Sequence, residues 1–103
     1  MKVRVLSPAV DEISQAALWF DEQRVGLGDE FWGLVDSVLS EIERNPLRFV
    51  RSEFASDEID LRFAIMRRFN FVIHFALEKD EAQVVAVTHA ARRPGYWLLR
   101  VRG

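Results

Sequence analysis

The stretch HAARRPGYW, residues 89–97, gathers His89, Arg92, Arg93, Tyr96 and Trp97 around one Pro-Gly turn. A guanidinium is a planar fork of donors that matches phosphate or carboxylate and also lies flat on rings. Tyrosine and tryptophan offer faces on which a nucleobase can stack. His89 adds an imidazole that can donate or accept a proton. Upstream, Arg62, Arg67, Arg68 and His74 extend the set. His74 lies among apolar residues in mid-strand and reads as a packed or hydrogen-bonded histidine. His89 ends a strand beside the basic tail and is the better candidate. Tyr96 and Trp97 suit either stacking on a ligand or anchoring the tail by burial, and anchoring is the preferred reading of Trp97. There is no Gly-rich phosphate loop, metal-ligand spacing or Ser-His-Asp arrangement. The lack of cysteine removes disulfides, zinc–thiolate sites and thiol nucleophiles together. No metal or cofactor is expected.

Charge points the same way. The net charge of −2 hides a division: residues 1–60 carry six Lys/Arg and thirteen Asp/Glu, whereas residues 61–103 carry eight Lys/Arg and three Asp/Glu. The C-terminal part is therefore basic, and twelve of the fourteen basic residues are arginine. Such a surface fits an anionic partner, either nucleic acid or an acidic protein segment. Uneven but ordinary surface charge is the competing explanation. Half of the 103 residues are apolar, which fits one globular domain over residues 1–103. No apolar run approaches the ~20 residues of a membrane span. The opening MKVRVLSPAV lacks a long apolar core after its lysine, so no signal peptide is expected. With no cysteine, the expectation is a soluble cytoplasmic protein.

These side chains need a scaffold, and hydrophobic period supplies it. KVRVL (2–6) alternates as a short strand. Ser7 is placed to cap a helix with Pro8 in its first turn. Val10, Ile13, Ala17 and Phe20 then share one helical face, with Asp11 and Glu12 elsewhere and near the positive end of the helix dipole. VGLG (25–28) turns the chain. Phe31, Leu34, Val35, Val38 and Ile42 form a second stripe, which NP (45–46) stops. So short a connection predicts an antiparallel helix hairpin.

The period then changes to two. In LRFAI (61–65), Arg62 and Ala64 oppose Leu61, Phe63 and Ile65. In FNFVIHFAL (69–77), Phe69, Phe71, Ile73, Phe75 and Leu77 oppose Asn70, Val72, His74 and Ala76. EKDE (78–81) is a polar turn before QVVAVTH (83–89), and RFVRSEF (48–54) holds a weak strand. The order predicts an α+β layering with the helices on one sheet face. Arg62, His74, Ala64 and Ala76 are expected on the opposite face, a shallow docking surface edged by arginines.

The segment ALWFDEQRVGLGDEFWGLVDSVLSEIERNPLRF resembles the helical hairpin of the RelE/ParE toxin superfamily. Trp19-Phe20, Gly26-Leu27-Gly28, Phe31 and Pro46 hold its aromatic pair, turn, helix opening and stop. LRFAIMRRFNFVIHF is similar to the family's Arg-bearing strand and central strand, and VVAVTHAARRPGYW to its closing strand and tail. Asn70 stands where the family usually has proline, and His74-Phe75 where it has a different aromatic pairing. The resemblance covers nearly the whole chain. It implies an N-terminal strand and an antiparallel helix hairpin packed on one face of a small antiparallel sheet. It also implies a toxin of a type II toxin–antitoxin, plasmid-stabilisation system, neutralised by a cognate antitoxin.

Two actions are known in that family: poisoning DNA gyrase by binding, and cutting messenger RNA on the ribosome without a metal. A nuclease needs a base for the 2′-OH, cations for the phosphorane and an acid for the leaving oxygen. Arg62, His89, Arg93 and Tyr96 supply those types. The strands lack the extra lysines usual in the nuclease branch. The expectation is therefore the ParE-like branch, acting on gyrase, with Arg62, Arg67, Arg68, Arg92, Arg93, Tyr96 and Trp97 binding the target.

Overall fold

A computed structural model describes residues 1–102. Strand β1 (Lys2–Val5) leads into helices α1 (Ser7–Gln23) and α2 (Leu27–Arg44). Strands β2 (Val50–Arg51), β3 (Asp60–Met66), β4 (Phe71–Leu77) and β5 (Glu81–His89) follow, and a short helix α3 (Leu98–Arg102) ends the described chain. The five strands form one sheet in the order β1-β5-β4-β3-β2. The α+β class, the helix hairpin and the β2–β5 meander are as expected. One strand differs in direction, since β1 pairs parallel to β5, with Val3 beside Ala82 and Val5 beside Val84. Alternation fixes which residues share a side but carries no information about strand direction.

Local chemistry sets the hairpin. Pro8 lies in the first turn of α1, where its missing N–H costs nothing. Ser7 does not cap: Leu6 holds that position, and its N–H donates to the Val84 carbonyl at 3.0 Å. Because the helix starts at Ser7, Asp11 and Glu12 fall in its second turn, not its first. The buried stripe of α1 is Ala9, Ile13 and Ala17, whereas Val10 is 39% exposed. Gly26 adopts φ 92 at the turn, which glycine reaches without strain. Gly28 lets α2 cross α1 closely, since a β-carbon there would lie 2.5 Å from the Ala17 carbonyl oxygen. The Gly28 N–H also donates to Asp21 Oδ1 at 2.7 Å, which fixes the crossing.

Both faces of the sheet are covered, and this changes the expected picture. One core packs Ile13, Phe31, Val35 and Ile42 against Ile73, Phe75, Val84 and Val87. Ala64 and Met66 belong to this helix-side core as well. Arg62 pairs with Phe75 and Ala64 with Ile73, so both side chains of β3 point toward the helices. The assignment of Arg62 and Ala64 to the opposite face is thereby reversed, while His74 and Ala76 do lie there. Cross-strand register decides this, and a single strand read alone cannot supply it.

The second core joins Leu61, Ala76, Val85, Ala86 and Trp97, with Phe54, Ile59, Tyr96, Leu98 and Val101 around them. Trp97 is only 1% exposed. The small residues Ala76 and Ala86 make room for its indole, and His74 lies against it at 4.4 Å between ring centroids. The shallow face is thus filled by the tail. An irregularity in β5 supports this double burial: opposite the His74–Phe75 step, the register skips from Ala86 to Val84. Val85 is the extra residue, and the resulting bulge turns it to the tail side while Val84 and Val87 face the helices.

Candidate functional site

The tail that carries most of the candidate residues is tied down where β5 runs beyond β1. The β1 pairing stops at Val84, so the edge groups of Val85 and Val87 need other partners. Side chains supply them. Glu12 Oε1 accepts the Val87 N–H at 2.9 Å, and Arg100 Nη1 donates to the Val85 carbonyl at 3.0 Å. The two then bind each other through Arg100 Nη1 to Glu12 Oε1 at 3.0 Å and Nη2 to Oε2 at 3.2 Å. The Tyr96 hydroxyl donates to Glu12 Oε2. The Arg92 guanidinium lies 4.1 Å from the Tyr96 ring centroid and that of Arg100 lies 5.4 Å from it. Glu12 is therefore the hub of a clasp joining α1, β5 and the tail.

The clasp fixes the protonation of Tyr96. Burial, followed by the hydrogen bond and negative charge of Glu12, pushes its phenol up to about 12, against the opposing pull of Arg92 and Arg100. A phenol so held is a poor general base near neutral pH. Burial under Trp97 pushes His74 down to about 4, with the charge of Glu12 acting weakly the other way. Its Nδ1 is buried and has no hydrogen-bond partner among the described residues. His74 is a neutral packing residue, as its apolar setting suggested.

His89 sits differently. It is exposed at the end of β5, edge-on to Phe71 at 5.5 Å between centroids. Its Nδ1 accepts the Ala91 N–H at 3.1 Å, so the neutral ring carries its proton on Nε2. In that form the ring can donate to a ligand, but its one lone pair is already engaged. Arg93 is exposed in a cleft of about 270 Å³ shared with His89, Arg92 and Trp97.

Arg62 stands apart from this group. Its Nη1 donates to the carbonyls of Phe49 at 2.7 Å and Leu47 at 3.2 Å, and its Nε to Asp60 Oδ1 at 3.0 Å. Its partner on β4 is Phe75, whereas that of His89 is Phe71. Four residues at ~3.3 Å each separate the two by about 13 Å along the strands alone. Arg68 pairs with Glu30, whose carboxyl it holds below the usual range, and Arg24 joins the same carboxylate at 3.1 Å. Arg67 is exposed.

The structure thus brings His89, Arg92, Arg93, Tyr96 and Trp97 together and leaves Arg62 at the other end of the sheet. Glu12 and Arg100 were not among the expected site residues. Glu12 falls three residues after buried Ala9 and directly before buried Ile13. An acid on the border of an apolar stripe, in a chain with an arginine-rich tail, was the available signal. Among the described residues, no group of three His, Cys, Asp or Glu could hold a metal ion. No helix of the structure is long and apolar enough to cross a membrane. No protein-family model matches the chain, and no curated protein matches it.

Proposed function

We propose that the protein is the toxin of a type II toxin–antitoxin pair, cytoplasmic, acting by binding DNA gyrase and neutralised by a cognate antitoxin. The order of strand, helix hairpin and antiparallel meander is the one that the family resemblance implies, and it supports this reading. The observation that favours binding over cleavage is the state of the candidate nuclease residues. Tyr96 is locked on Glu12, and Arg62 is spent on backbone carbonyls about 13 Å or more from His89. What remains outward is a rim of Arg67, Arg92 and Arg93, suited to contact with an acidic surface.

A ribosome-dependent mRNA endonuclease is the second reading, and the cleft shared by His89, Arg92 and Arg93 is what favours it. Controlled expression in a bacterial host separates the two. Gyrase poisoning produces broken DNA and an SOS response, and co-expression of a cognate antitoxin restores growth. Arrest of translation with intact DNA and site-specific mRNA cleavage would replace gyrase by the ribosome. No growth defect at all would remove the toxin reading.

A further inference from the structure

We propose that the groove between α1 and the adjoining ends of β4 and β5 docks a protein segment presenting a bulky apolar side chain flanked by carboxylates. The groove has a volume of about 560 Å³ and is lined by Ala16, Trp19, Phe20, Phe69, Phe71 and His89. Its lining is almost entirely carbon, yet it opens to solvent, and Trp19 is 56% exposed. An open aromatic hollow of this size falls in the range of ligand pockets.

Backbone geometry makes the groove a built feature. Phe69 and Asn70 both take left-handed conformations, with φ of 71 and 58. For an aromatic residue this is strained, and strain of this kind gathers at ligand clamps. It turns the Phe69 ring into the wall, 4.6 Å from Phe20 and 5.4 Å from Phe31 between centroids. The Asn70 carbonyl, accepting the Ala90 N–H at 2.8 Å, and the Arg68 guanidinium over the Phe69 ring hold it there.

Charge selects the occupant. The carboxylates beside the groove are already matched: Glu30 by Arg24 and Arg68, Glu12 by Tyr96 and Arg100. Arg67, two residues before Phe69, and Arg92, which adjoins Ala16, Phe71 and His89, make no ion pair among the described residues. The rim therefore carries unmatched positive charge that a few carboxylates would neutralise. A nucleic-acid strand fits less well. The rings that line it meet at 64° (Phe20–Phe71) and 52° (Phe20–Phe69), so they form no flat stacking platform.

The inference does not rest on the toxin reading, because its test reads binding by purified protein and not growth. Short random peptides are selected on the full chain, and the consensus peptide and a labelled oligothymidylate are titrated by fluorescence anisotropy. The expected consensus is Leu, Phe or Trp between Asp or Glu residues. Trp19→Ala, and Ala16→Leu to fill the groove, should each weaken the peptide about tenfold or more, as central anchor contacts do. Arg92→Glu should weaken it several-fold, with an unchanged melting temperature in all three. No enrichment, a consensus without acids, binding indifferent to Trp19→Ala, or tighter oligothymidylate binding lost in the same variants would each overturn the proposal. Trp19, being more than half exposed, carries the test even if the filled variant folds poorly.

Discussion

Tyr96→Phe removes one oxygen and asks whether the phenol is structural or chemical. The rise of its pKa from the ordinary value of 10 to about 12 corresponds at most to about 2.7 kcal/mol favouring the folded state. The ring keeps partial access to water, so screening reduces this to about 1–2 kcal/mol. A hydrogen bond to a charged acceptor is independently worth about 1.5–3 kcal/mol, which overlaps that range. At about 4–8 °C per kcal/mol for a domain near this size, the variant should melt roughly 5–15 °C lower. The sign with pH follows from a pKa raised by folding. The stabilisation is complete below pH 10 and is lost as pH rises from 10 toward about 12. Thermal melts across that window should show the extra alkaline loss in the parent and not in Tyr96→Phe. Biological activity should fall only as far as folded protein is lost. A variant with unchanged melting temperature and abolished activity would refute the clasp argument and make Tyr96 a chemical group.

Trp97→Ala should cost about 3–5 kcal/mol, because it empties a filled site against Ala76 and Ala86, and denaturant titration would read it. Arg62→Ala leaves the Leu47 and Phe49 carbonyls without their donor and should lower stability by about 1–3 kcal/mol, whereas Arg93→Ala should leave the melting temperature unchanged. Burial lowers His74 to about 4 from an ordinary 6.5, so the unfolded chain binds the extra proton first on acidification. Stability should therefore fall between pH 6.5 and about 4, by at most ~3 kcal/mol, and His74→Gln should flatten that slope in urea titrations. Gly28→Ala drives a methyl into the Ala17 carbonyl and should separate the hairpin at a cost of about 1–3 kcal/mol.

Much of the scaffold was legible because period and punctuation are local. The stripe from Phe31 to Ile42 and the alternation from Phe71 to Leu77 read directly. What failed depended on neighbours distant in the chain. Arg62 and Ala64 alternate with Leu61 in either orientation, and only pairing to Phe75 and Ile73 says which set faces the helices. The sheet face expected to be open is covered because Trp97 returns to it from twenty-one residues beyond Ala76, a distance no periodicity spans. Glu12 read only as an acid off the apolar face of α1, since its partners, Tyr96 and Arg100, lie at the far end of the sequence. Clustering of His89, Arg92 and Tyr96 was legible, being adjacent in sequence, but the engagement of Tyr96 was not.

The clasp has a consequence for the order of assembly. Pairing β1 with β5 closes a loop of roughly 80 residues, an entropic cost of about 4 kcal/mol by the logarithmic rule. The Glu12–Arg100 contact spans 88 residues in sequence, yet it does not incur that cost again. Once Val5 lies beside Val84, Glu12 is held near β5, and only the dozen or so residues after His89 remain to be closed. Docking of the tail is then a short, fast step conditional on the first closure. The clasp should form last and open first, so hydrogen exchange at the Arg100 amide, which donates to the Trp97 carbonyl at 3.0 Å, should report partial opening of the tail well below the free energy of global unfolding.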